Sequence, residues 1–129
     1  MMTGSCLCNA NKYQIEEKNI IRKITCHCAR CRKISGGWST TNLVVQKEGF
    51  KLTSTSTWQT LVPGLSHATS TFNPSLPDKR HGHICFCRHC GSVMYREAEV
   101  DGFRDLYFVP VGSLDDIDYV REMKEEEWY

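Results

Sequence analysis

No apolar run in this chain approaches the roughly 20 residues that a membrane-crossing helix needs. Met1-Met2-Thr3-Gly4-Ser5 leads directly to Cys6, without the basic and apolar regions of a secretory leader. A cytoplasmic protein with no membrane partner is therefore expected. Neither sign of charge dominates. Sixteen Lys and Arg face fifteen Asp and Glu, for a formal net charge of +1, so the global basic field that draws proteins to nucleic acid is missing. Helical periodicity is scarce, and no segment is of low complexity. Proline is sparse too, with four in the chain; Pro63, Pro74 and Pro77 fall in one long connection from Pro63 to His83, whose clearest strand signal is Ala68 to Phe72.

What the chain has in excess is cysteine, eight in 129 residues. They form three knuckles: Cys6-Leu7-Cys8, Cys26-His27-Cys28-Ala29-Arg30-Cys31, and Cys85-Phe86-Cys87-Arg88-His89-Cys90. A C-x-C or C-x-x-C step brings two sulfurs within reach of one metal ion, and zinc takes four soft ligands in a tetrahedron. The rival is a disulfide framework, for which eight cysteines allow about 105 connectivities. A reducing compartment favours metal over bridges. Two zinc ions per chain are expected.

Most of the pattern is short strands. Tyr13 and Ile15 alternate with polar neighbours, and Ile20, Ile21 and Ile24 lead into the middle knuckle. Trp38 to Val45 is rich in Thr, Val and Leu, which suits a pleated, half-buried surface. Gly49 breaks that run before Phe50 and Leu52, and further strands are expected at Trp58 to Val62, Ile84 to Cys87, Val93 to Arg96 and Leu106 to Val111, with a turn at Asp101-Gly102. Helix is expected only in a turn or two after Cys31 and in a short piece between Leu114 and Val120. The composition suits a single domain over 1–120, followed by an acidic, mobile tail over 121–129. Trp38, Trp58, Tyr95, Phe103, Tyr107 and Phe108 are candidates for the core or for pocket lining.

Three knuckles must be divided between two sites. The simplest closed site takes a pair from each end of the chain, Cys6 and Cys8 with Cys87 and Cys90, and would be structural. Cys26, Cys28 and Cys31 then hold the second zinc, and three protein ligands with an exchangeable fourth position are the form of a catalytic site. Cys85 has two readings: a fourth thiolate for the second site, which would close it, or a free buried cysteine packed as a small hydrophobe.

At these residues the chain resembles the glutathione-dependent formaldehyde-activating enzyme family, which includes the centromere protein V-like proteins. The matching elements are Gly4-Ser5-Cys6-Leu7-Cys8, then Cys26-His27-Cys28-Ala29-Arg30-Cys31-Arg32-Lys33 with Gly36, then Phe86-Cys87-Arg88-His89-Cys90-Gly91-Ser92, and Val111-Gly112-Ser113-Leu114-Asp115-Asp116. The resemblance implies a mainly β, Mss4-like (β-tent) zinc-binding fold with little helix. It implies the same partition of cysteines, and carbon–sulfur lyase chemistry that joins formaldehyde and glutathione into S-hydroxymethylglutathione. Two features depart from the family pattern. Asn9 follows the first knuckle where glycine is usual, and Asn tolerates a left-handed backbone. Cys85 is an addition.

The expected partners are a small-molecule thiol and an aldehyde, with homo-oligomers allowed and nucleic acid disfavoured. Arg30, Arg32 and Lys33 can pair with glutathione carboxylates, since guanidinium groups suit bidentate pairing, or can form a solvated face. His27 can point at the open site or outward. His67, His81, His83 and His89 are proton-shuttle candidates by type alone. The non-enzymatic alternative is a two-zinc interaction module that binds a protein partner.

Overall fold

A computed structural model describes residues 1–53, 57–63, 81–98 and 102–129, with backbone alone for 58–63 and 81. The chain is mainly β. A three-stranded antiparallel sheet is made by β1 (Met2–Ser5), β2 (Lys12–Ile15) and, after two further strands in sequence, β5 (Phe50–Leu52), in the order β1-β2-β5. The larger sheet holds β3 (Ile20–Cys26), β4 (Thr40–Gln46), β6 (Thr57–Pro63), β7 (His81–Cys87), β8 (Val93–Ala98), β9 (Leu106–Pro110) and β10 (Glu125–Trp128). Its order is β10-β3-β4-β9-β8-β7-β6, antiparallel throughout except that β10 runs parallel to β3.

The period-2 alternation of strands assigns the residues of β4 to opposite faces. Leu43 and Val45 join Tyr13, Ile15, Tyr95 and Val109 in the core on the side of the small sheet. Val44 turns the other way and packs with Ile24, Cys26, Cys31 and Phe108. Both faces of β4 are thus covered, which is why Asn42–Val45 is buried without interruption. In the first core the Phe50 ring stacks on Tyr13 at 5.0 Å and meets Tyr95 and Tyr107 edge-on. Gly4 is required there, because a Cβ at that position would run into the Tyr13 ring.

The helices are short. α1 (Ala29–Ser35) begins inside the middle knuckle rather than after it, because Cys28 acts as its N-cap: its sulfur accepts the Cys31 N–H. Gly36 closes it in the left-handed region, at φ 70°. α2 (Asp118–Arg121) forms late in the expected interval, after a 3-10 turn at Val111–Ser113.

Two expectations are corrected. The segment 121–129, expected as a mobile tail outside the domain, instead supplies β10. The Lys23 ammonium explains it: this side chain is buried, and its Nζ donates to the Val120 carbonyl at 2.7 Å while Glu125 lies 3.8 Å away. The acidic residues are therefore drawn to a basic strand, with Arg22 and Glu126 adding a pair at 3.5 Å. Trp38 is not in the core. It follows the α1 cap, before β4 begins, and is 87% exposed. The Ala68 to Phe72 strand and most of the Pro63 to His83 connection lie outside the described residues, as do His67 and the Asp101 half of the turn at Gly102. Among the described residues no helix is long and apolar enough to cross a membrane.

Candidate metal centres

Two groups of cysteine sulfurs converge: Cys6, Cys8, Cys87 and Cys90 in one, and Cys26, Cys28 and Cys31 in the other, with all ligand atoms of a group within 4.8 Å of one another. The first group is assembled by the turn after β1 and the turn after β7. Cys6 Sγ lies 3.6 Å from Cys8 Sγ, and Cys8 Sγ lies 3.7 Å from Cys87 Sγ. A tetrahedron with zinc–sulfur bonds near 2.3 Å has an edge of about 3.8 Å. The turn after Cys8 uses Asn9 at φ 64°, the left-handed conformation that lets Asn replace glycine here.

Donors surround these sulfurs. The Asn11 N–H donates to Cys6 Sγ at 3.3 Å, and the His89 and Cys90 N–H groups donate to Cys87 Sγ at 3.3 and 3.5 Å. Ser92 Oγ lies 3.2 Å from Cys90 Sγ and accepts the Leu7 N–H at 3.1 Å, tying the two turns together. Such contacts orient ligands and stabilise thiolate. They also separate the thiols in acidity. The Ser92 hydroxyl, then its N–H, pull Cys90 down to about 5. Burial raises Cys6, and so does Cys90, but the Asn11 N–H with the Cys8 and Cys87 thiols outweigh them and leave it lowered. The Ala10 N–H lowers Cys8, yet desolvation and the three adjacent sulfurs together push it up to about 11. Four sulfurs this close cannot all ionise unaided. A dication removes that conflict, so the donor set fits zinc.

The second group sits at the junction of β3 and α1, on the opposite face of the large sheet. Cys26 and Cys31 are buried and Cys28 is partly exposed. The Cys31 thiol, then burial, push Cys26 strongly up, the same sign of crowded charge. Here the sulfurs meet a cation from the protein itself: the Arg96 guanidinium, on β8, points Nη1 at Cys31 Sγ from 3.7 Å. Three thiolates within this spread can hold a zinc ion, and among the described residues no further Cys, His, Asp or Glu joins the group.

Cys85 belongs to neither group. Its sulfur does not converge with those of Cys6, Cys8, Cys87 and Cys90. It also packs in the core on the small-sheet side, whereas Cys26 and Cys31 lie across the sheet. Burial pushes its thiol up, against hydrogen bonds with Tyr95 and Thr57. On α1, Arg32 and Lys33 are exposed in the last turn, where they complement the helix dipole, and Arg30 is half-buried. His27 turns outward: its Nε2 lies 2.7 Å from Glu127 and its ring stacks on Tyr129 at 4.8 Å. His89 is exposed and His83 half-buried. Sequence reasoning missed Arg96. In isolation an arginine on a strand is unremarkable, and only the pairing of β8 with β9 brings it beneath α1.

A cavity of about 260 Å³ opens between α1, the start of β4 and the Pro110–Gly112 turn. Ile34, Ser35, Thr40, Asn42, Val93 and Arg96 line it. A second cavity, of about 380 Å³, reaches Cys6 and Ser92 and shares Val93, Pro110 and Gly112 with the first.

The family model described as "Glutathione-dependent formaldehyde-activating enzyme" matches residues 1–129, the whole chain. No curated protein matches. Among solved structures, the crystal structure of a Rhodobacter sphaeroides protein is similar at a TM-score of 0.63 and 18% identity, over 99% of this chain and 100% of the other. At that identity the likeness speaks for the fold alone.

Proposed function

The chain belongs to the glutathione-dependent formaldehyde-activating enzyme family, and from that premise we propose that it is a zinc-dependent carbon–sulfur lyase acting on the adduct of a small aldehyde and a glutathione-like thiol. The observation that carries the reading is the asymmetry of the two cysteine groups. Four sulfurs satisfy a tetrahedral ion and leave it structural, whereas Cys26, Cys28 and Cys31 supply three, and Arg96, which touches Cys31, lines a cavity.

A zinc ion bound there would supply Lewis acidity, stabilising a thiolate or an aldehyde oxygen. In the forward direction the substrate sulfur donates a pair to the carbonyl carbon, forming the C–S bond. The C=O π pair moves to oxygen, which takes the proton lost by the thiol. The reverse reaction breaks the C–S bond and returns that proton to sulfur. This chain's residues hold the charge in place. Arg96 offsets the negative charge of the three thiolates through Cys31, and the Cys31 N–H, donated to Cys28 Sγ, fixes that ligand at the helix start.

Exchange between free and thiol-bound formaldehyde, followed by 13C NMR with glutathione and the zinc-loaded protein, tests the reading. Acceleration over the uncatalysed rate, lost in Cys28→Ser, is the expected result. An exchange rate equal to the uncatalysed one would overturn it in favour of the interaction module.

A further inference from the structure

Strands β3, β4 and β9 carry one row of side chains across the face of the large sheet that holds the three-sulfur group. Arg22 pairs in register with Val44, and Val44 with Phe108. Cross-strand partners share a face and neighbouring strands lie about 4.8 Å apart, so the backbones at the two ends of the row are about 10 Å apart. A third cavity, of about 380 Å³, lies over this row. Ile24, Phe103 and Trp128 add to its walls, and Arg22 brings the single charge among its lining residues. Phe103 and Phe108 stack at 6.1 Å. Phe103 and Trp128 pack on the core of this face yet stay partly exposed. Small-molecule sites are recesses of roughly 300–1,000 Å³, mostly apolar and aromatic with a few placed polar groups. This cavity fits that description.

The Arg22 guanidinium is available to a ligand. Its ion pair with Glu126 is a single 3.5 Å contact between two side chains that are each nearly half exposed, and such pairs contribute little. We propose that the cavity binds a small aromatic carboxylate, with the ring system against Val44, Phe103 and Phe108 and the carboxylate on Arg22. Three aromatic walls, Phe103, Phe108 and Trp128, favour an aromatic body, which meets them in offset or edge-on contact. The planar fork of arginine takes a carboxylate through two parallel hydrogen bonds. Glu126, nearly half exposed, returns to water at little cost. The length of the row places the acid at the end of a body about two fused rings long, as in 2-naphthoate. Among the described residues no cysteine lines the cavity, so this ligand is separate from the substrates of the lyase reading and does not depend on it.

The test titrates the zinc-loaded protein with 2-naphthoate and with neutral 2-naphthamide, by calorimetry and by the NMR signal of the Trp128 indole N–H. The acid is expected to bind saturably and to shift that signal. Its affinity should exceed that of the amide by about fivefold, the size open to a half-exposed charge pair. Arg22→Gln should remove this preference and keep the affinity for the amide. Ile21 also lines the cavity and is 43% exposed, so Ile21→Trp fills the space from the solvent side and should abolish binding of both probes. No binding in the wild type, or binding without a shift of Trp128, overturns the proposal. Equal affinities for acid and amide overturn it too, and leave an apolar face of the kind that takes side chains of a protein partner. So does a preference that survives Arg22→Gln, or binding that survives Ile21→Trp. No turnover is read, so failure of the lyase reading leaves each of these outcomes as decisive as before.

Discussion

Cys8 Sγ lies 3.7 Å from Cys87 Sγ although 79 positions separate them along the chain. The contact closes a loop over more than half of the sequence, joining the turn after the first strand to the turn after β7. An ion at this point constrains the unfolded chain across that whole span, and its binding energy is folding energy. Ser92 Oγ accepts the Leu7 N–H across the same junction.

Replacing Cys87 by Ser should therefore cost stability more than activity at the distant group. Zinc per chain is expected to fall from two to one, with a loss of about 3 kcal/mol or more and a drop in Tm of roughly 10 °C. Metal analysis beside a calorimetric scan measures both; two zinc ions retained would show that these sulfurs hold none.

Cys85→Ala is the contrasting substitution. The side chain is 1% exposed and sits in the core, outside both sulfur groups. Removing one buried sulfur atom should cost about 1 kcal/mol with zinc content unchanged. A lost zinc ion in this variant would return Cys85 to the ligand set.

The cysteine groups were legible in the sequence because knuckle spacing is a local property: C-x-C and C-x-x-C fix where sulfurs lie whatever the rest of the chain does. The strand at Tyr13–Ile15 was legible for the same reason, through alternation, and that at Leu106–Pro110 ends one residue short of the expected Val111 because a 3-10 turn begins there. What escaped depends on pairing between distant elements. Glu125–Trp128 looks like a charged tail until Lys23 and Arg22 are known to lie beside it. Arg96 has no local signature, since its meaning comes from α1 packing over β8. Trp38, expected in the core or a pocket wall, is exposed, because it follows the Gly36 cap before β4 begins.

Alkaline pH should destabilise the protein in part through Tyr13, alongside Tyr95, whose phenol burial also pushes up. The Tyr13 ring is fully buried on the small-sheet side, and its hydroxyl lies 2.7 Å from Ser113 Oγ. Burial, partly opposed by that hydrogen bond, pushes its phenol up to about 12. The neutral form is thus favoured in the folded state, so the unfolded chain ionises first. Stability is complete below about pH 10 and is lost as pH rises through 10 to 12, by about 2–3 kcal/mol at the upper limit. Tyr13→Phe removes this contribution and should flatten the fall. Denaturant titrations at pH 9, 10 and 11, compared for the two proteins, read the slope; parallel slopes would dismiss Tyr13 as its source.

The last strand should govern how well the three-sulfur group keeps its metal. β10 pairs with β3 in register, placing Trp128 opposite Cys26, and the Trp128 carbonyl accepts the His27 N–H at 2.7 Å. Glu127 and Tyr129 hold the His27 ring from outside. The backbone between Cys26 and Cys28 is therefore clamped by residues far from it in sequence, and Trp128 covers the core behind these ligands. Deleting residues 124–129 frees that backbone and exposes the edge of β3. Loss of one zinc ion to a chelator should become at least about tenfold faster, an effect of the size seen when supporting contacts around a metal site are removed. The four-sulfur site, across the sheet, should release its ion at the unaltered rate. Two-phase release kinetics with a metallochromic dye resolve the sites, and acceleration of both phases would mean that the deletion unfolds the protein rather than loosening one knuckle.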